Sequence, residues 1–186
     1  MSFVSPNSKD FQMFDLFAED LLQESNARLL IIIGTSKVDY LLFEILRLFL
    51  LPKRAKVNDS DELLEIDAPL ATFSVRIKMC SRLGLIDETL YITLDKLRKL
   101  RNLSAHEILF DVMKSPVREH LSELRRQIAH RQSFRLTKER YFKNAFVKPF
   151  EELQCLLLTL CILLEAIRKK TTVTKGNKST RNIASR

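Results

Sequence analysis

Three glycines in 186 residues, Gly34, Gly84 and Gly176, constrain the fold of this chain more than any other feature of its sequence. Strand-rich folds need turn residues about every 8–12 positions, and two glycines in the body of the chain cannot supply them. The same scarcity removes the loops that cradle phosphates, because neither GxGxxG nor GxxxxGK[ST] occurs. With 46% apolar residues, the chain is long enough to bury a core as one domain. Helices are what remains.

The apolar spacing places them. Residues 8–24 read as a first helix, with Ser8 at the N-cap and Phe11, Phe14, Phe17, Leu21 and Leu22 along one stripe. Ala27 to Leu51 reads as a long, largely buried second helix stopped by Pro52, and Lys53 to Asp67 as a charged, mobile connector. Pro69 and Thr72 open a third helix, which Gly84 closes. Asp87 caps a fourth, with Ile86 stapled onto Tyr91 and Leu90, Leu94, Leu97 and Leu100 facing inward, and it runs on to His106. Ser115-Pro116 starts a fifth, as N-cap and first helical residue. Thr137 opens a sixth, which Pro149 kinks or divides before the apolar run to Ile167. The expectation is an all-α fold, a single helical bundle of five to seven helices over residues 1–170. A disordered basic C-terminal tail, residues 171–186, follows.

Several classes of function drop out. Cys80, Cys155 and Cys161 form no CxxC pair and have no histidine at ligand spacing, so they read as buried thiols, and no metal or cofactor is expected. The first ten residues lack the basic-then-apolar order of a signal peptide. The greasiest windows, Tyr40–Leu51 and Leu153–Leu164, fall short of the roughly 20 apolar residues of a membrane span. A cytoplasmic protein with no membrane segment is expected.

The net charge of +8 is unevenly spread. Residues 1–113 carry 14 Lys and Arg against 17 Asp and Glu, whereas residues 114–148 carry 10 against 3. Residues 149–167 carry 3 acids and no base, and residues 168–186 carry 7 bases and no acid. Basicity concentrated in an internal segment and a tail points to a polyanion or acidic protein as partner, and Arg118, Arg125, Arg126, Arg131 and Arg135 are the candidate nucleic-acid contacts. Phe134, Tyr141, Phe142 and Phe146 lie among these cations, a mixture suited to single-stranded RNA, but at helical spacing they face the core more readily. No helix-turn-helix pattern supports sequence-specific reading of duplex DNA.

One stretch combines groups able to do chemistry: Arg101-Asn102-Leu103-Ser104-Ala105-His106. RNA cleavage without metal needs a proton-transfer group and a cation at the phosphate. Histidine titrates near neutrality and suits the first role; the planar guanidinium of arginine suits the second. Asn102 would orient the histidine or donate to the phosphate. On a continuous helix Asn102 and His106 share a face, but Arg101 lies about 140° around from His106 at ~100° per residue. Arg98, Asn102 and His106 make the better stack. Arg101 and His106 converge only if the helix ends between them or if two copies meet across a symmetric dimer. The plainer reading makes His106 a C-terminal cap that favours the helix dipole and bonds the last carbonyls.

Two resemblances bear on these residues. The block Pro69-Leu70-Ala71-Thr72-Phe73-Ser74-Val75-Arg76-Ile77-Lys78, continued by Leu83-Gly84-Leu85-Ile86 and ending in Leu100-Arg101 and His106, resembles the mannitol operon repressor family over roughly residues 10–170. That resemblance implies a small helical protein linked to repression of a sugar-uptake operon, through protein contacts as readily as operator binding. Separately, Arg101-Asn102-Leu103-Ser104-Ala105-His106 resembles the signature of HEPN domains, helical and usually dimeric, many of which are metal-independent endoribonucleases. That second resemblance implies that Arg101 and His106 are catalytic, Asn102 supportive and the chain a homodimer. The first expectation is therefore a dimeric transcriptional regulator working through protein or weak nucleic-acid contacts; the alternative is a HEPN-type ribonuclease.

Overall fold

Gly34 is where the two longest helices meet. A Cβ on Gly34 would stand 2.7 and 2.8 Å from the two methyl carbons of Leu157, so glycine is what lets the backbones approach this closely. The structure, a computed structural model, describes residues 9–50, 62–65, 67–107, 110–143, 145 and 148–183, without side chains for 9–12 and 173–183. Among these residues the chain forms seven helices and no strand: α1 (Lys9–Gln23), α2 (Ala27–Phe49), α3 (Phe73–Arg82), α4 (Glu88–His106), α5 (Val117–Ile128), α6 (Gln132–Phe142) and α7 (Pro149–Ile183). The all-α bundle is as expected.

Helices α2 and α7 pack most extensively and form the axis of the bundle. Leu153 and Cys155–Leu158 are buried on every side of α7, as are Leu41, Leu42, Ile45 and Leu46 on α2. Around this pair, α3 and α4 pack on α2 and on each other, α5 joins α4 to α7, and α6 packs on α7. α1 is held at its C-terminal end, where the Gln154 amide donates to the Leu21 and Leu22 carbonyls at 3.1 and 3.0 Å. In α4, Leu90, Leu94, Leu97 and Leu100 all point into the core.

The helix ends follow local chemistry. Asp87 caps α4 by accepting from the Leu90 N–H at 2.7 Å, and Thr72 caps α3 through the Val75 N–H. Gly84, at φ +67°, reverses the chain after α3, and the Leu85 N–H reaches back to the Cys80 carbonyl at 2.9 Å. Asn26 caps α2 by accepting from the Arg28 and Leu29 N–H groups, a cap unmarked by any sequence motif. Ser8 and Pro52 lie outside the described residues.

Three local expectations change. Ser115 is not the N-cap of α5: Pro116 holds that position, and the Ser115 hydroxyl donates instead to Glu119 at 2.6 Å. Thr137 does not open α6, which begins at Gln132; Thr137 is buried mid-helix and its hydroxyl donates to the Ser133 carbonyl. That internal bond gives threonine a place inside a helix, where composition alone marks a boundary. In the expected connector, Leu64 is fully buried and its carbonyl accepts from Arg76, which also donates to the Leu70 carbonyl and pairs with Asp39 at 2.9 Å. The α7 backbone runs on to Ile183.

Burial pushes the thiols of Cys80, Cys155 and Cys161 up to about 12, which keeps them protonated and unreactive. No described helix is long and apolar enough to cross a membrane, and no cluster of three metal-ligating side chains occurs among the described residues.

Candidate functional site

α4 runs unbroken from Glu88 to His106, so the helix does not end between Arg101 and His106. Their directions therefore differ by about 140° at ~100° per residue, while Asn102 and His106 share a face. All three side chains are exposed. Among the described residues none of the three makes a side-chain hydrogen bond or ion pair. The backbone beside them is well anchored: the Ser104 hydroxyl, itself buried, donates to the Arg101 carbonyl at 2.7 Å. Arg98, the third member of the alternative stack, is engaged with Asp95 at 2.8 Å, and Lys99 joins the same carboxylate at 3.0 Å. Partial burial raises the Asp95 carboxyl, but these two cations outweigh it and hold the group below the usual carboxylate range.

The carbonyl-capping role expected of His106 belongs to another residue. Glu107 is the C-cap of α4, and its carbonyl accepts from the Arg28 guanidinium, reaching across from the start of α2. The same guanidinium lies 6.0 Å from the centre of the Phe110 ring. Arg28 thus ties the first turn of α2 to the loop after α4. His106 keeps only the favourable position for a cation at a helix C-terminus.

The five candidate nucleic-acid arginines divide. Arg118 and Arg125, from α5, both point to Glu152 on α7, at 2.7 and 3.4 Å. The Glu152 side chain is only 5% exposed, so the two arginines are positioned by a carboxylate that would otherwise be buried unpaired. Arg131 donates to both oxygens of Asp87 at 2.7 and 2.9 Å and so closes the α5–α6 corner onto the start of α4. Arg126 and Arg135 are exposed and make no ion pair among the described residues. Of the aromatics, Phe134 is buried and Tyr141 and Phe142 are partly buried against the core; Phe146 lies outside the described residues. Glu152 is the residue that sequence reasoning missed. Its signal was present, two acids opening a helix after a basic segment, but such acids ordinarily face solvent.

Seven helices around an α2–α7 axis, with a helix-end motif on α4, define the protein as an all-α bundle. Solved proteins share this fold. MtlR, in the X-ray structure of the MtlR–HPr complex from Escherichia coli, superposes with a TM-score of 0.60 at 19% identity, covering 84% of this chain and 99% of that one. YggD from Shigella flexneri 2a, described as a possible transcriptional regulator, superposes with a TM-score of 0.61 at 16% identity, covering 89% of this chain and 98% of that one. At such identities the likeness is one of fold. No family model matches the sequence, and no curated protein does.

Proposed function

We propose that this chain is a regulatory protein of the mannitol-repressor type, a homodimer that controls a sugar-uptake operon by binding a partner protein, as MtlR binds HPr. The observation that carries the reading is the shared fold across 99% of the MtlR chain. The side-chain chemistry fits a binding protein better than a catalyst, since Arg101 and His106 diverge on one continuous helix. Use of Arg118, Arg125 and Arg131 in internal ion pairs also weakens the case for nucleic acid as the main target. The test is calorimetric titration of the purified chain with HPr from the same genome. Saturable binding supports the reading, and no heat at about 100 µM of both proteins, where even a weak transient contact registers, overturns it.

A second reading, the metal-independent ribonuclease, keeps one observation in its favour: the fold uses none of the exposed side chains of Arg101, Asn102 and His106. On this reading the motif is completed only when Arg101 of one copy meets His106 of another. Labelled single-stranded RNA in excess EDTA decides it. Cleavage that falls about 10²–10⁴-fold in His106→Ala, the scale of a lost general acid–base group, establishes the ribonuclease; an inert, folded wild type eliminates it.

A further inference from the structure

We infer that the cleft between α1, α6 and α7 is a binding site for a small organic anion with an apolar body. The inference goes beyond the proposed regulatory role and does not depend on it. The cleft has a volume of about 530 Å³, inside the range of small-molecule sites. Its walls are apolar: Phe14 comes from α1, Leu136 and Tyr141 from α6, and Ile162 and Ala166 from α7. Leu136 is 55% exposed although its neighbours Phe134 and Thr137 are buried, so α6 turns an apolar side chain into the cleft that nothing in the bundle covers.

The charges along the same walls select the ligand's sign. Of the charged groups at the cleft, Glu165 is matched by Arg168 at 2.8 Å and Arg140 by Asp15 of α1 at 3.1 Å, which leaves the Lys169 ammonium as the cation offered to a ligand. The Arg140 guanidinium also lies 5.3 Å from the centre of the Tyr141 ring, and its side chain is 54% exposed. Burial raises the Tyr141 hydroxyl above its ordinary value, so the phenol stays a neutral hydrogen-bond donor beside the apolar walls. A carboxylate or sulfonate at the mouth meets the Lys169 ammonium while its hydrocarbon body covers Leu136 and Ile162. A neutral molecule of the same shape gains only the second contribution, and a polyol gains neither.

The probes are 1-anilinonaphthalene-8-sulfonate, decanoate and decanol, used with the full chain and with two variants at exposed or half-exposed positions, Ala166→Trp and Lys169→Glu. The expected result is saturable enhancement of dye fluorescence by the wild type, reversed by decanoate. Decanoate raises the wild-type Tm, as a ligand of the native state must. Ala166→Trp, which fills the cleft, weakens dye and decanoate binding by about tenfold or more, the scale of losing one well-made contact region. Lys169→Glu weakens decanoate by about fivefold or more and leaves decanol unchanged, as loss of a charge-assisted contact requires. The inference is overturned if wild type and both variants bind the dye equally, if decanoate leaves the wild-type Tm unmoved, or if decanol binds as tightly as decanoate. HPr titration of Ala166→Trp is run in parallel, so loss of the anion site and failure of the regulatory reading are scored separately.

Discussion

At the scale of single residues, the ionisable groups of this protein are used mainly to fasten one helix end to another. Asp87 shows how. Partial burial by itself would push its carboxyl up, but hydrogen bonds from Arg131 and from the Leu90 N–H outweigh that and hold it below its ordinary value of 3.8. A carboxylate depressed on folding contributes stability that is complete above its unfolded value and is lost as pH falls through the folded one. Asp87→Asn keeps a good N-cap while deleting the charge. We expect the urea midpoint of wild type to fall more steeply than that of Asp87→Asn between about pH 5 and about pH 2; parallel curves would show that the Arg131 pair contributes nothing to folding. Above about pH 6 wild type should keep its whole advantage over Asp87→Asn, and that advantage should be small, since the Asp87 side chain is 57% exposed and its ion pair is screened by solvent.

At the scale of helices, the α2–α7 contact decides the architecture, and it rests on one missing side chain. Replacing a helical glycine by alanine ordinarily gains about 1 kcal/mol. At Gly34 the new methyl group would meet the methyl carbons of Leu157, a fully buried side chain that must shift to make room. Overpacking of that kind costs about 1–3 kcal/mol, so Gly34→Ala should be net destabilising by about 1 kcal/mol, the difference between those two effects. The check is a double-mutant cycle by chemical denaturation. Gly34→Ala should cost less, or stabilise, in a Leu157→Ala background, where the space is vacated. Strict additivity would mean the helices do not touch where the structure places them.

At the scale of the whole molecule, part of the positive charge lies beyond the core. The packed residues described here end near Ile167 on α7, whereas Lys175, Lys178, Arg181 and Arg186 come later, and they supply half of the net charge of +8. Deleting residues 171–186 should leave Tm within about 2 °C of wild type, because surface changes away from the core cost little. The same deletion should make the protein leave a heparin column at clearly lower salt, since fewer cations then release counterions. A fall in Tm of about 10 °C or more, the size expected when core packing is lost, would show instead that the end of α7 belongs to the bundle.

Much of this was legible in the sequence. Two body glycines, leucines at helical spacing, Asp87, Thr72 and Gly84 determine by themselves that the chain is an all-α bundle and where several helices start and stop. Each acts through its own backbone neighbours, over one or two turns. The motif on α4 was legible as residue types but not as a site, because its meaning depends on whether the helix ends before His106, and the loop that follows is tied down by Arg28, seventy-nine positions from the Glu107 carbonyl it donates to. The arginines of α5 were legible as a basic segment, but whether they face a partner or the protein's own interior was decided by Glu152, brought beneath Arg118 from 34 positions on. Local chemistry, set by bonds within one turn, can be read in order along the chain. The pairing of a charge with its counter-charge across the bundle exists only after packing has chosen which helices are neighbours.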